Sequence, residues 1–228
     1  GSWLQSMRLR DPVAHERVVR SPTFGLLTLA VGFLGMVQYA VNGFVFVYAT
    51  RFLGFTPQGG IALGGMTTVA AIIGLVAGGV LGDLAKRRHV AGRLYLTIIM
   101  FTIFSGLTII QYTTTSTRTF LITYGLACIF LPAWQGSIMA TYQDLVLPRM
   151  RGLALATMAL GNSIIGLGLG PYIVGLVSDV SNDLRFAILS ILVVVPPAFL
   201  CLLAVARRLT IEDAKPSLAA MPKAPATR

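Results

Sequence analysis

The stretch FLGFTPQGGIALGGMTTVAAIIGLVAGGVLG, Phe52–Gly82, holds no charged residue, and the chain then turns ionic at Asp83-Leu84-Ala85-Lys86-Arg87-Arg88. A helix needs about 20 apolar residues to cross the hydrocarbon core of a bilayer. This stretch exceeds that length, and it ends where a membrane surface would hold a basic cluster. Working outward, five more uncharged stretches repeat the pattern: Ser21–Thr50, Leu94–Thr117, Thr119–Gln143, Gly152–Ser178 and Phe186–Ala206. Lipid offers a free backbone amide no partner, so a span must be a helix or part of a closed barrel. Barrel strands would be near ten residues with alternating polarity, which none of these stretches shows. The expected fold is all-α: a bundle of six membrane-spanning helices.

Composition agrees. Of 228 residues, 55% are hydrophobic and 11% charged. Soluble domains carry about a quarter charged residues. The net charge of +10 raises nucleic-acid binding, but the Lys and Arg lie outside the apolar stretches or at their edges. A nucleic-acid surface needs them gathered on one folded, water-facing side, so no nucleic-acid partner is expected. Cys128 and Cys201 fall inside apolar stretches and read as buried thiols. No Cys/His cluster has metal-ligand spacing, and no glycine loop ends in Lys-Ser or Lys-Thr for a nucleotide. No metal and no cofactor are expected. His15 and His89 both stand in basic segments, with no serine paired to either as nucleophile, so the chain does not read as an enzyme.

The basic residues give the expected orientation. One side holds Arg8, Arg10, Arg17, Arg20, Lys86, Arg87, Arg88, Arg93, Arg149, Arg151 and the tail residues Arg207, Arg208, Lys215, Lys223 and Arg228. Only Arg51, Arg118 and Arg185 of the 18 Lys and Arg fall on the other. The positive-inside rule places the rich side, with both termini, in the cytoplasm. Residues 1–20 read as a cytoplasmic leader, 21–208 as the transmembrane domain, and 209–228 as a cytoplasmic, disordered tail rich in Pro, Ala and Lys. No signal peptide is expected at the start. Gly1-Ser2 reads as a protease-cleavage scar, in keeping with a fragment or a processed piece. Turns are expected at Thr56-Pro57, along Thr113–Thr117 and at Ser181-Asn182-Asp183.

The polar groups inside the spans are neutral. Gln38 and Asn42 are one turn apart and share a helix face, with Tyr39 beside them. Trp134 and Gln135 sit within the fourth stretch, and Asn162 within the fifth. Two readings stand side by side: hydrogen bonds that tie helices together, or the lining of a solute cavity. The glycines, among them Gly74, Gly78, Gly82, Gly166, Gly168 and Gly170, also admit two readings. Small residues let membrane helices pack closely, and such surfaces can also slide or bend. All eight acidic residues stand outside the span interiors, so this chain offers no midplane carboxylate for a proton relay.

Gly79-Val80-Leu81-Gly82-Asp83-Leu84-Ala85-Lys86-Arg87-Arg88 resembles the G-x-L-x-D loop signature of the major facilitator superfamily. Leu84 stands where a basic residue often follows, and Lys86 where glycine is common, which favours the weaker copy found in the second half of such transporters. Pro148-Arg149-Met150-Arg151-Gly152 leads into a helix with Ile165-Gly166-Leu167-Gly168-Leu169-Gly170-Pro171, Gly175 and Ser178-Asp179. That stretch resembles the eleventh helix of the superfamily, in particular its spinster-like branch. Together the resemblances extend over most of 21–208 and imply one six-helix half of a twelve-helix secondary transporter, with the N-terminal half as its partner and a small organic or amphipathic, lipid-like solute. They imply that the first and fourth spans face a central cavity, and that Asp83 caps a helix N-terminus of the other half, where free N–H groups and the helix dipole favour an anion. Arg87, Arg88, Arg149, Arg151, Gly166, Gly168, Gly170 and Pro171 are the implied gating residues. A solvated Asp83 beside a basic loop is the plain alternative. The rival function is a membrane scaffold, or an autonomous half acting as a dimer.

Overall fold

A computed structural model describes residues 22–146 and 151–219. The leader 1–20, Ser21, Arg149 and the last nine residues lie outside the described residues. Four unbroken helices come first: α1 (Pro22–Leu53), α2 (Pro57–Arg88), α3 (Gly92–Thr113) and α4 (Thr117–Asp144). The fifth span is composite, made of α5 (Arg151–Gly161), a π-helical stretch (Asn162–Leu169) and α6 (Gly170–Ser181). The sixth is α7 (Leu184–Ser190), a short 3-10 turn (Ile191–Val194) and α8 (Val195–Ala219). All 6 are long and apolar enough to cross a membrane. The expected all-α bundle is therefore present, and the chain is a multi-pass membrane protein. The last helix continues to Ala219, with Pro216 inside its final turn.

The links form where the sequence offers turn chemistry. Between α1 and α2, Gly54 takes a positive φ of 67°, which costs a residue without Cβ little, and Pro57 opens the next helix. Ser116 caps α4 by accepting the amide of Thr119. Asn182 turns the chain in the left-handed region, and Asp183 then accepts the amides of Arg185 and Phe186 to start α7. Such caps satisfy helix-end donors that otherwise have no partner, at about 1 kcal/mol each.

Burial sorts the spans into central and peripheral. The most apolar window of α1 is 61% buried and that of α4 50% buried, against 17% for α2 and 22% for the fifth span. α4 packs on α2 and α3; α1 packs on the fifth and sixth spans. Exchanging spans one to three with spans four to six reproduces this pairing. Three crossings carry a chain to the opposite side, so the second triplet is inverted relative to the first, the repeat construction of many transporters.

The contact of α2 with α4, between the triplets, is made through glycine. A Cβ on Gly74 would lie 2.0 Å from the Ile129 carbonyl oxygen, and one on Gly78 2.2 Å from that of Ala133. The Ser137 hydroxyl donates across this seam to the Gly78 carbonyl, at 3.2 Å. Hydroxyls elsewhere turn back on their own helices. Thr68, Thr97, Thr102, Ser105, Thr108 and Thr141 each donate to the carbonyl four residues earlier.

Candidate functional site

α1 and α4 bring the neutral polar residues together near the middle of the bundle. The Gln135 amide donates to Gln38 Oε1 at 3.2 Å, bridging the two central spans. Both side chains are half-buried, so each keeps hydrogen-bonding capacity free. Asn42 lies one turn along α1, half-buried and without a hydrogen bond to the other described residues. Tyr39 joins the fifth span: Asn162 Nδ2 donates to its hydroxyl at 3.2 Å. Asn162 Oδ1 is buried without a partner, wedged where a Cβ on Gly35 would come within 2.0 Å of it. A buried, unpartnered carbonyl costs about 1–3 kcal/mol, so Gly35 admits the Asn162 side chain at a site that leaves its oxygen wanting.

Trp134 does not join this set. It is fully buried and packs edge-on against Phe101 of α3, ring centroids 5.9 Å apart. Of the two readings given for it, this placement accords with packing between helices. Neighbours in sequence lie about 100° apart around a helix, so with Gln135 turned to α1, Trp134 faces the core. Its indole Nε1 has no partner. Gln111 of α3, which the sequence did not single out, is fully buried with both amide atoms unpartnered.

Two grooves flank α2, and carbon dominates their walls. One, of about 570 Å³, lies between α2 and α4 and is lined by Gly65, Met66, Val69, Ile73, Leu126 and Ile129 among others. The other, of about 420 Å³, lies between α1 and α2, with Phe46, Ile61, Leu63 and Tyr124 in its wall. Between them the Tyr124 hydroxyl meets Thr67 Oγ1. Thr67 already donates to the Leu63 carbonyl, so Tyr124 is the donor.

At the basic end the charges form a chain. Arg93 reaches both Asp83, at 2.5 Å, and Asp144, and Lys86 holds Asp144 from the other side at 2.7 Å. This ties the ends of α2, α3 and α4. The Arg93 side chain is only 12% exposed while that of Asp83 is 65% exposed, so Asp83 keeps a free face toward solvent. Arg87, Arg88 and Arg151 are exposed and make no ion pair among the described residues. Arg149 lies outside them. Gly166 and Gly170 are buried against α1, where a Cβ would meet the backbone of Gly35 at 2.9 Å and the Met36 carbonyl at 2.5 Å. Gly168 is exposed, and Pro171 is half-buried at the start of α6.

Comparison with family models finds no match, and comparison with curated proteins finds none either. Solved structures do match. A bacterial homologue of the human lysosomal transporter spinster, in an inward-facing and occupied conformation, superposes with a TM-score of 0.73 at 20% identity. The match covers 82% of this chain and 50% of that one. The chain has the fold of one half of a major facilitator transporter. The same homologue, inward-facing and unoccupied, gives a TM-score of 0.66 at 21% identity, covering 89% of this chain and 51% of the other. The chain spans about half the length of the structures it matches. Both matched structures are of a homologue of a transporter, and among the described residues no three His, Cys, Asp or Glu side chains are grouped to hold a metal.

Proposed function

We propose that this half-transporter forms one wall of a secondary transporter that moves a small organic or amphipathic, lipid-like solute by alternating access, with an N-terminal six-helix half as the other wall. The observation that carries this reading is the Gln38–Gln135 bridge between the two central spans, in a bundle that also carries carbon-lined grooves along α2. Half-exposed amides can hold a neutral polar group, and carbon-lined grooves favour hydrocarbon, which together suit an amphipathic molecule. The test is uptake by the full-length protein in proteoliposomes. Gln38→Leu and Gln135→Leu are expected to cut uptake of amphipathic solutes while stability barely moves, since one interhelical hydrogen bond in a membrane contributes about 0.6 kcal/mol. Uptake equal to the unmodified protein in both variants would remove the pair from the site.

The basic end is assigned to the cytoplasm, with both termini there and the cell or inner membrane as the setting. Single cysteines at Arg88 and Thr115, in a background without Cys128 and Cys201, should label from opposite faces of sealed vesicles. Labelling of both from one face contradicts the assignment. Asp83 is assigned to the gate. Its free face supports contact with a helix N-terminus of the other half, while Arg93 orients it from within this half. Proton coupling, if the transporter uses it, is assigned to the other half, because no carboxylate stands mid-span here.

A further inference from the structure

The fifth span carries a device that the transport reading does not contain. Its middle is π-helical over Asn162–Leu169, a geometry that accounts for well under 1% of residues in globular proteins and that appears mostly as single turns. Each bonded loop of a π-helix holds one residue more than that of an α-helix. The stretch therefore stores a surplus residue relative to the α-helical frames of α5 and α6. Pro171 follows after Gly170, and its missing N–H and its ring both disfavour an unbroken α-helix through this point.

The side that holds the surplus in place is α1. Asn162 opens the stretch and donates to Tyr39. Its Oδ1 is lodged beside Gly35 and lacks a partner. Gly166 and Gly170 lie against the α1 backbone. The other side is open: Ile164 and Leu167 are exposed, as are Leu160 before the stretch and Tyr172 after it. One rim of the stretch is thus held by a contact that is incompletely satisfied, and the other rim is exposed among the described residues.

We infer that the fifth span is a two-state register switch, in which the π stretch relaxes to α-helix and α6 turns relative to α5, with the Asn162–Tyr39 contact as its latch. Passing one residue through the frame turns one flank by roughly 100° and shifts it by about 1.5 Å. Release would free Asn162 Oδ1 from its unsatisfied position. That gain opposes the loss of the Tyr39 bond, as a switch between two states of similar energy requires.

The test places spin labels at Leu160 and Val180, both exposed, in the full-length protein in nanodiscs, and reads the distance between them. Two distances are expected in the unmodified protein. Asn162→Ala removes the latch and should shift the population toward the second. Pro171→Ala restores a helical N–H and should shift it the same way. Deletion of Ile164 removes the surplus residue while leaving both flanks in their present frame, and should leave the first distance alone. A single distance that neither substitution moves overturns the inference, whether or not the deletion variant folds. The inference rests on the transport reading only for its purpose. Two distances without uptake would sink that reading and leave the switch standing.

Discussion

The seam between α2 and α4 and the seam between α1 and the fifth span are equivalent under the exchange of triplets, yet they are built differently. In the first, Gly74 and Gly78 press against backbone carbonyls along two unbroken α-helices, α4 carrying Pro132 in its interior, and the Ser137 hydroxyl closes the contact with a satisfied hydrogen bond. In the second, Gly35, Gly166 and Gly170 give an equally close approach, but one partner is π-helical and the polar contact leaves an oxygen unpaired. Close packing is common to both, so close packing alone does not decide which seam can move. The difference lies in what stands nearest the closest glycines: backbone carbonyls opposite Gly74 and Gly78, and the Asn162 side chain, which can swing away, opposite Gly35.

The sharpest way to break the comparison is Gly78→Ile. Its Cβ would meet the Ala133 carbonyl at 2.2 Å, and backbone cannot step aside. A loss of about 3 kcal/mol, at the upper end for overpacking, is expected in thermal unfolding in detergent. Gly79→Ile is the matched control: nothing lies within 4 Å of its Cβ, and its change should stay within about 0.5 kcal/mol. Equal losses at the two positions would mean that the α2–α4 seam is not the close contact described. Gly35→Ala comes next. The nearest atom is Asn162 Oδ1, on a side chain that can rotate, so about 1–2 kcal/mol is expected, together with loss of the Tyr39 contact. A cost as large as that of Gly78→Ile would make the two seams equally rigid. Asp83→Asn should have the smallest effect on stability, because an exposed ion pair contributes little in high dielectric. Its effect should appear in the full-length protein as a larger inward-open population, read by distances across the cytoplasmic gate. An unchanged distribution would leave Asp83 as a solvated helix end.

The spans were legible because charge is absent from each over more than a membrane's thickness, and the turns because Gly54, Pro57, Ser116 and Asp183 are residues with specific turn and cap chemistry. The Gln38–Gln135 pairing was half legible. Spacing put Gln38 on one face with Asn42, but only the packing of α1 on α4 could choose its partner. Trp134 and Gln135 are adjacent in sequence but about 100° apart around the helix, so only the packing of α4 on α3 shows which way each side chain turns. The π stretch left no readable signal in periodicity, since a run such as Gly166-Leu167-Gly168-Leu169-Gly170 is small and apolar in either frame. Pro171 was the one local hint. The Asp83–Arg93–Asp144–Lys86 chain was not foreseen, because its members come from three helices whose ends meet only after folding.

The back-turned hydroxyls carry a consequence for chemistry inside the bundle. Once a threonine gives its proton to its own helix, its oxygen can only accept. Tyr124 uses Thr67 in this way, and Tyr142 uses Thr28, whose own proton goes to the Phe24 carbonyl. To any group that reaches them, these threonines have the character of ethers and not of alcohols. Donors inside the bundle must come from the few amides and phenols, so such a hydroxyl serves a neighbour that brings a proton and offers nothing to one that brings only a lone pair.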